Sequence, residues 1–428
     1  MAELINGFTG FAQKRAEGTH SLATETPTDV ISPNPRVSFD PERLATIPQT
    51  ERRWAWAEID LNAIVHNMQM ARAVAKPGVR LMAVVKGDAF GHGLIRVAKT
   101  AVNAGAEYLG IGTVDEGIAL REAQLNVPIL LLDQPPASAI PLLLGYKIMP
   151  SVYTTDFAIQ YGEMADQCGV EAPYHLAMNT GMNRIGVRYD EAAEFLRQIS
   201  FHRALQLRGI FTHFATADTG DSLEVERQMR RFVDALTAIH SAGIDTGIVH
   251  CANTAAAVLF PHTQLHMVRW GQGLYGLHPT METRRVLNLR PAMSVHARIS
   301  DVRMLPMGEG ISLGLSYRGV GSAKACTVPL GYADGLTGTL ANRMDVLHAG
   351  MRCKQVGSIC MNHLMFEVDM RSRAGRARSN PLPGDEVIIV GRQGDQVITM
   401  SDLARAASIS ATELVCSLGA HLPRVYVL

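Results

Sequence analysis

The sequence predicts a (β/α)8 TIM-like barrel followed by a mainly β C-terminal domain. Eight short apolar runs alternate with amphipathic helix candidates over about 220 residues, and the alternation stops near residue 290. Short β-rich segments broken by Gly and Pro follow. The first pattern is typical of an α/β barrel and the second of a β domain. A doubly wound open sheet is the alternative, but it usually has fewer units, and no G-x-G-x-x-G motif follows the first strand here.

The composition is that of a large globular protein. Of the 428 residues, 47% are hydrophobic and 19% are charged. The 40 Lys and Arg are balanced by 40 Asp and Glu, whereas a protein that binds nucleic acid normally carries a basic excess. The longest apolar runs, such as VPILLL at 127–132, are far shorter than the ~20 residues of a membrane span. We therefore expect neither nucleic acid nor a membrane as a partner.

The six cysteines are scattered along the chain, without any C-x-x-C pair. A disulfide framework or a zinc site would need tighter spacing, so we predict free thiols and no bound metal. The N-terminal stretch MAELINGFTGFAQKRAEG lacks the continuous apolar core of a signal peptide. Together these features favour a cytoplasmic location.

Three segments are predicted in chain order. Residues 1–53 contain stretches such as TETPTDVISPNP, whose lack of periodicity predicts a flexible extension. The barrel is predicted over 54–288 and begins with WAWAEIDL, a strand-like alternation after which Asp60 is placed to cap a helix. The eight predicted barrel strands are RLMAVVK (80–86), YLGIGTV (108–114), VPILLLD (127–133), KIMPSVY (147–153), YHLAMN (174–179), LRGIFTH (207–213), GIVHCAN (247–253) and HMVRWG (266–271).

The second domain is predicted over 289–428. Its candidate strands include SVHARISDVRML, AKACTVPLGY, DVLHAG and GDEVIIVG. One helix is predicted late in it, SDLARAASI, with Ser401 placed as the N-cap. Short strands with a single late helix indicate a mainly β domain.

Polar residues at the carboxyl ends of barrel strands are the functional candidates. Lys86 follows the apolar run AVV at the end of the first strand. Burial there would lower its pKa, which is a property of lysines that form Schiff bases. The alternative is that Lys86 lies just beyond the core and is solvated. The glycines of GDAFGHG after it permit close backbone approach to a ligand.

Later strand ends carry further candidates. Four side chains end the sixth, seventh and eighth strands: His213, Asn253, Thr254 and Arg269. In many barrels the loops after strands seven and eight bind a phosphate. Thr254 and the backbone N–H groups near Gly271 and Gln272 suit that role. A lysine for an imine, donors for a phosphate and a nearby arginine together suggest pyridoxal 5'-phosphate as the cofactor.

Seven motifs occur along the chain in this order: AVVKGDAFGHG, MNTGMNRIGV, THFATAD, CANTAA, RWGQGLYG, LGYADG and ICMNHL. The ordered set resembles the alanine racemase family, from about Trp54 to Leu428. The resemblance implies an isomerase that interconverts L-alanine and D-alanine with pyridoxal phosphate and supplies D-alanine for the peptidoglycan of the cell wall. It also implies a head-to-tail homodimer in which each active site combines one subunit's barrel with the other's β domain.

The resemblance also implies residue roles. Lys86 would hold the cofactor and act as one catalytic base, and Tyr332 in GYADG would be the second base, reaching in from the partner. Arg184 in GMNRIG and the backbone N–H of Met361 in CMN would bind the substrate carboxylate. Arg269 would face the pyridine nitrogen, with His250 behind it. The cofactor-binding residues implied are Lys86, His213, Asn253, Thr254, Arg269, Gly271 and Gln272.

Two tyrosines of the family pattern are missing here. Phe90 replaces one of them and Ala420 replaces the other, close to the closing arginine. Each lost hydroxyl should weaken phosphate binding by about 0.5–1.5 kcal/mol. Ala420 should also widen the substrate entrance. We therefore expect tolerance of substrates larger than alanine, such as serine.

Other departures concern the setting of Arg184. Ala177 and Asn179 replace the lysine and aspartate of the family's KxDTGM stretch, so Arg184 would be held differently, by Asn179 or by a bound anion. Asn362 replaces the aspartate of CMD.

Alternative functions stay open. One is a racemase of serine or of broad amino-acid specificity, which only substrate profiling separates from an alanine racemase. Another is a non-catalytic pyridoxal-phosphate-binding protein. The second domain with Tyr332 argues against it, because a cofactor carrier needs no second base. A decarboxylase on the same type of barrel has no support in the sequence.

Overall fold

The computed structural model describes residues 47–370 and 380–428. Strands and α-helices are numbered in chain order. Eight parallel strands form the barrel: β2 (Arg80–Val84), β3 (Tyr108–Ile111), β4 (Ile129–Leu131), β5 (Met149–Val152), β6 (Ala172–Asn179), β8 (Leu205–Phe211), β9 (Ile248–His250) and β10 (Met267–Trp270). Their order around the barrel is β10-β2-β3-β4-β5-β6-β8-β9. Six of them lie within the predicted runs, while β6 and β8 each begin two residues before theirs, so the predicted barrel is confirmed.

The barrel is nearly closed between its last two strands. There the backbone N–H of His266 donates to the carbonyl of Val249 (3.1 Å), and that of Arg269 donates to the carbonyl of Ala252 (3.0 Å). The short strand β7 (Val187–Arg188) adds to β6 outside this ring. All eight strands run the same way, so their carboxyl ends meet at one mouth.

Helices follow most of the barrel strands and bury one face each. Helix α2 shows the local cause: the Asp60 carboxylate accepts the N–H of Ala63 (2.9 Å), as predicted, and Ile64, Met68 and Ala71 recur on the buried face. The helices are α1 (Gln49–Arg52), α2 (Leu61–Val74), α3 (Leu94–Asn103), α4 (Val114–Glu122), α5 (Ile140–Gly145), α6 (Thr155–Cys168), α7 (Ala192–Ile199), α8 (Ser222–Ser241), α9 (Thr254–Leu259), α10 (Met281–Val286), α11 (Met400–Ala407) and α12 (Ala411–His421).

The mainly β region contains a mixed sheet and two smaller ones. The mixed sheet has the order β17-β16-β19-β11-β1-β21, with β20 paired to β19. Its strands are β1 (Ala55–Asp60), β11 (Met293–Arg298), β16 (Asp345–His348), β17 (Met351–Lys354), β19 (Glu386–Gln393), β20 (Gln396–Ile398) and β21 (Arg424–Val427). The smaller sheets are β12 (Asp301–Leu305), β15 (Ala323–Val328) and β18 (Leu364–Asp369), and β13 (Gly310–Ile311) with β14 (Tyr317–Arg318).

Strand β1 lies in the range predicted for the barrel, but it pairs with the later sheet. It runs antiparallel to β11, with Ala55 opposite Ala297, and parallel to β21, with Ala57 opposite Arg424. The alternation in WAWAEIDL predicts a strand but not its neighbours. The proposed domain limit at residue 288 stays a prediction.

The N-cap predicted at Ser401 is wrong, because Thr399 caps α11. The Thr399 side chain accepts the N–H of Asp402 (3.1 Å), and the Asp402 carboxylate accepts the N–H of Thr399 (3.0 Å). This reciprocal capping box places the N-cap two residues before the predicted position. Helix α12, which follows, was not predicted.

Most of the predicted N-terminal extension, residues 1–46, lies outside the described residues. Within the remainder, Gln49–Arg52 form a helical turn. Arg53 forms a salt bridge with the buried Asp334. Over residues 47–370 and 380–428, no helix is both long enough and apolar enough to cross a membrane.

Candidate active site

A cavity of about 260 Å³ opens at the carboxyl ends of the barrel strands. Eight of the ten predicted site residues line it: Lys86, Arg184, His213, Asn253, Thr254, Arg269, Gly271 and Gln272. The other two, Tyr332 and Met361, do not line this cavity in the described part of the same chain. The predicted strand ends thus converge on one site.

Lys86 introduces a left-handed turn. The five residues after it, from Gly87 to Gly91, all have φ between +51° and +78°. Glu116 holds this turn, since its Oε1 accepts the N–H of Asp88 (2.9 Å) while Oε2 accepts the N–H of Gly112 (2.8 Å). Such backbone is unfavourable for Asp88 and its non-glycine neighbours, so it persists only because surrounding contacts fix it.

The environment of Lys86 favours its neutral amine. The side chain is exposed to the open cavity, although neighbouring protein atoms desolvate it in part. This desolvation lowers the pKa of Lys86, and the positive charges of Arg184 and Arg269 lower it further. Glu116 and Asp133 oppose the shift less strongly. The direction of the pKa shift is the one expected from the sequence, whereas the exposure of the side chain is that of the solvated alternative.

Arg269 lies buried at the barrel centre without a carboxylate partner in the described chain. Nη1 donates to Nδ1 and the carbonyl of His250 (3.0 and 3.2 Å), and Nη2 donates to the carbonyl of Thr212 (2.8 Å), the carbonyl of Cys251 (3.0 Å) and Nδ1 of His213 (3.1 Å). Burial lowers the pKa of Arg269 to about 10. The two N–H groups of Nη2 are shared among three acceptors, and those of Nη1 are both used. The N–H on Nε has no partner among the hydrogen bonds of the described residues and remains for a ligand.

The histidines beside Arg269 are neutral. Burial, followed by the charge of Arg269, lowers the pKa of His213 to about 3 and that of His250 well below its usual value. An arginine only donates, so Nδ1 of each ring accepts and the proton lies on Nε2. His213 consequently offers an N–H donor at the cavity rather than a charge.

The phosphate-side candidates are organised around Thr254. Its Oγ1 accepts the backbone N–H groups of Gly271 (3.1 Å) and Gly273 (3.3 Å). A side chain at Gly271 would meet only Val84, at 3.9 Å, so glycine leaves open space at the cavity wall. Because the hydroxyl oxygen accepts twice, its own O–H is the donor available to a ligand.

Asp218 is a cavity residue that we had not singled out. Its Oδ1 accepts from Nδ2 of Asn253 (3.0 Å), and its Oδ2 lies 3.4 Å from Nε2 of Gln272. Burial raises the pKa of Asp218, and the Asn253 hydrogen bond opposes this. Asn253 also caps α9 through Ala256 (2.9 Å). Both ends of the Asn253 amide are therefore occupied by protein. The signal in the sequence was the aspartate that ends THFATAD.

The substituted position Phe90 borders the cavity. Its ring stacks on Tyr275 with centroids 4.6 Å apart, and the Tyr275 hydroxyl donates to the carbonyl of Val84 (2.9 Å). Phe90 thus packs beside the strand that leads to Lys86. Thr412 of α12 also lines the cavity. Nothing near a barrel strand end could have predicted Thr412.

Arg184 has no hydrogen bond or salt bridge to the described residues. Asn179 does not contact it, but organises the loop that leads to it. The Asn179 carbonyl oxygen accepts the N–H groups of Gly181 (3.0 Å) and Asn183 (3.1 Å). The direct support by Asn179 suggested from the sequence is absent from the hydrogen bonds of this loop. A free guanidinium at a cavity wall is suited to binding a carboxylate.

Tyr332 and Met361 lie together on the surface of the β region. The N–H of Tyr332 donates to the carbonyl of Cys360 (3.0 Å), and that of Ala333 donates to the carbonyl of Met361 (2.9 Å). Tyr332 is 50% exposed and Met361 is 56% exposed. Their exposure leaves both available to a second molecule.

Fold and site together define a class: two-domain enzymes in which an α/β barrel presents a lysine, two arginines and backbone donors at its mouth, with a β region attached. A family model for the alanine racemase N-terminal domain matches residues 59–279, and one for the C-terminal domain matches residues 292–426. The chain belongs to the alanine racemase family.

Individual relatives agree with this assignment. The alanine racemase of Desulfovibrio desulfuricans is 37% identical over 375 residues, covering 88% of this chain and 98% of that protein. The crystal structure of Bacillus anthracis alanine racemase with bound L-Ala-P has a TM-score of 0.81 at 32% identity, covering 88% and 95% of the two chains. The histidine racemase of Leuconostoc mesenteroides subsp. sake has a TM-score of 0.79 at 28% identity, covering 88% and 98%.

Proposed function

We propose that the protein interconverts L-alanine and D-alanine with pyridoxal phosphate bound at the barrel mouth. The observation that carries this proposal is Lys86, which borders the cavity with Arg184 and Arg269 and has a lowered pKa. A neutral amine is the form that attacks a carbonyl. Membership of the alanine racemase family supports alanine as the substrate.

The residues around the cavity fit this cofactor. Thr254 and the backbone N–H groups near Gly271 and Gln272 would hold its phosphate. Arg269 would face its ring nitrogen through Nε, and as a permanent cation it disfavours protonation of that nitrogen. When bound, the cofactor supplies the electron delocalisation that eases removal of the substrate's α-proton.

Racemisation needs a proton removed from one face of the α-carbon and one returned to the other. Two bases, one on each face, are the direct solution. Lys86 is the base on the barrel side. Tyr332 is the second base, and Arg184 with the backbone N–H of Met361 would orient the substrate carboxylate.

Because Tyr332 is outside the cavity of its own chain, we infer a homodimer with shared active sites. The support is an exposed apolar surface, the β-domain patch, formed by Leu313, Leu315, Tyr332 and Met361. The loops that carry these side chains are joined, since the hydroxyl of Ser312 donates to the carbonyl of Ser358 (2.7 Å). Exposed apolar side chains grouped on neighbouring loops are typical of protein interfaces.

The decisive experiment is incubation of the holoenzyme with L-alanine in D₂O. Chiral chromatography with mass spectrometry reports the hand of the product and its label. We expect D-alanine carrying α-deuterium, and loss of the activity in Lys86→Ala and Tyr332→Phe. A protein with cofactor attached at Lys86 that inverts no amino acid would overturn the proposal and favour a cofactor-binding role.

A second candidate, racemisation of larger amino acids, is favoured by the alanine that replaces the family's tyrosine at position 420. Ala420 is exposed on α12, the helix that also brings Thr412 to the cavity, but it does not itself line the cavity. The likeness to a histidine racemase also supports it. Serine in the same D₂O assay tests it. A serine rate below about one-hundredth of the alanine rate would exclude it, since one-methylene discrimination is typically 10–200-fold. Supply of D-alanine to peptidoglycan and a cytoplasmic location stay predictions.

A further inference from the structure

Three side chains form a continuous, buried hydrogen-bonded network behind the cavity. Nη1 of Arg269 lies 3.0 Å from Nδ1 of His250, and Nε2 of His250 lies 3.0 Å from Nδ1 of His175. Both histidines are 0% exposed, and Arg269 is 3% exposed. His175 comes from β6, His250 from β9 and Arg269 from β10. The hydrogen-bonded network therefore crosses the inside of the barrel.

The direction of these hydrogen bonds follows from the arginine. A guanidinium has no acceptor, so Nδ1 of His250 must accept and its proton must lie on Nε2. Nε2 of His250 then donates to Nδ1 of His175, which leaves the His175 proton on Nε2. That nitrogen has no hydrogen-bond partner among the described residues. His175 is thus an acceptor for His250 and has no other polar contact in the described chain.

The opposite tautomer of His250 would disrupt the hydrogen-bonded network. With its proton on Nδ1, His250 would point a donor at the donor Nη1 of Arg269. While His175 keeps its proton on Nε2, this tautomer is unfavourable, because two lone pairs would then face each other across the 3.0 Å between the rings. Burial and the charge of Arg269 lower the pKa of His175 to about 3, so the ring stays neutral and continues to accept.

We propose that His175 is a positioning residue: by accepting from Nε2 of His250 it stabilises the tautomer that Arg269 requires, and so helps to hold the guanidinium in place at the barrel centre. The ring of His175 packs closely against Gly209, where an added Cβ atom would lie only 2.5 Å from Cε1 of the ring. This close packing restricts the position of the ring. His175 touches neither the cavity nor the bases. Its effect on the cofactor reaches the cavity only through Arg269.

Two variants separate the acceptor from the packing. His175→Asn keeps an acceptor near the position of Nδ1, whereas His175→Leu fills the space without one. We expect the dissociation constant of pyridoxal phosphate to rise roughly tenfold in the leucine variant, as for one lost buried partner. We expect it to stay within about threefold in the asparagine variant. The visible absorption of the bound cofactor should change in the leucine variant alone.

Long-range ¹H–¹⁵N spectra of ¹⁵N-histidine-labelled wild-type holoenzyme report the tautomers directly. This measurement remains possible even if the leucine variant fails to fold. His175 and His250 are assigned by the signals lost on substitution. A His250 proton on Nδ1 overturns the proposal, as does wild-type cofactor affinity in the leucine variant. Equal loss in both variants indicates packing alone and also overturns it. The cofactor readouts rest on the proposed function, but the tautomer readout is independent of racemisation.

Discussion

Nη2 of Arg424, in the last strand, lies 2.5 Å from Oδ2 of Asp88, in the turn that follows Lys86. The same guanidinium donates from Nε and Nη2 to the carbonyl of Gly419 (3.1 and 2.8 Å). The other oxygen of Asp88 accepts the N–H of Leu94 (2.7 Å). The C-terminal strand thereby braces the left-handed turn at the barrel mouth.

Arg424→Met should lower the free energy of unfolding by about 1–3 kcal/mol, because the partly buried Asp88 and the Gly419 carbonyl lose their donor. It should also weaken cofactor binding, since the turn after Lys86 loosens. Urea unfolding and cofactor titration measure the two effects. The matched control is Arg405→Met, whose guanidinium is exposed and pairs at 3.8 Å with Asp402 in the same helix. Equal effects of both substitutions would contradict the brace.

Arg184→Gln should move the pH dependence of cofactor attachment to higher pH. Burial comes first among the causes that lower the pKa of Lys86, and the charge of Arg184 comes second. Removing that positive charge makes the ammonium form less unfavourable, so the pKa rises and the reactive amine appears at higher pH. The rate of attachment to the apoprotein, measured against pH, reports the shift. Arg188→Gln is the control, because Arg188 pairs with Asp190 (2.6 Å) outside the cavity. An Arg184→Gln variant whose attachment rate depends on pH as in the wild type would contradict this electrostatic account.

Phe90→Tyr should tighten cofactor binding by about twofold to tenfold, the effect of one hydrogen bond worth about 0.5–1.5 kcal/mol. The Phe90 ring already borders the cavity and stacks on Tyr275, so a hydroxyl adds a donor without moving the ring. Equilibrium dialysis of the cofactor measures the change. Phe260→Tyr, away from the cavity, should leave the affinity unaltered. Weaker binding in Phe90→Tyr would mean that the hydroxyl meets no acceptor there.

Mixing two inactive variants should restore activity if active sites are shared. A homodimer of Lys86→Ala subunits has no active site with an intact Lys86. A homodimer of Tyr332→Phe subunits has no active site with an intact Tyr332. In a mixed dimer, one of the two sites has both an intact Lys86 and an intact Tyr332. Random reassociation at equal amounts should recover about a quarter of the wild-type rate. No recovery, with mixed dimers shown by native mass spectrometry, would place both bases in one chain.

Gly419→Ala should destabilise the protein by about 1–3 kcal/mol through overpacking. A side chain there would lie 2.2 Å from the carbonyl oxygen of Gly91, in the turn after Lys86. Backbone on both sides leaves no flexible group to move aside. Gly145→Ala is the control, since that glycine has open space around it and ends α5. Thermal unfolding of both proteins distinguishes them, and a neutral Gly419→Ala would refute the close packing.

Much of the barrel was predictable because its signals are local. Each strand is indicated by an apolar run in the sequence. Functional residues of such barrels lie at the carboxyl ends of the strands, and this rule identifies Lys86, Arg269 and Thr254. Contacts between distant segments carry no such signal. Thr412 reaches the cavity from α12, and His175 reaches Arg269 through His250. Thr399 was missed as a cap although its signal is local: Asp402, three residues later, completes the sequence pattern of a capping box.

The pairing of β1 shapes how the protein must be made. This strand leaves the ribosome early, yet its neighbours are β11 and, at residues 424–427, the final strand. Until residues 424–427 are synthesised, the backbone groups of β1 facing β21 have no native partner. A polypeptide that stops before residue 424 would therefore keep an open strand edge, able to pair with other nascent chains. β21 itself lies at the edge of the mixed sheet, so its synthesis, rather than completion of the barrel, gives β1 its second native neighbour.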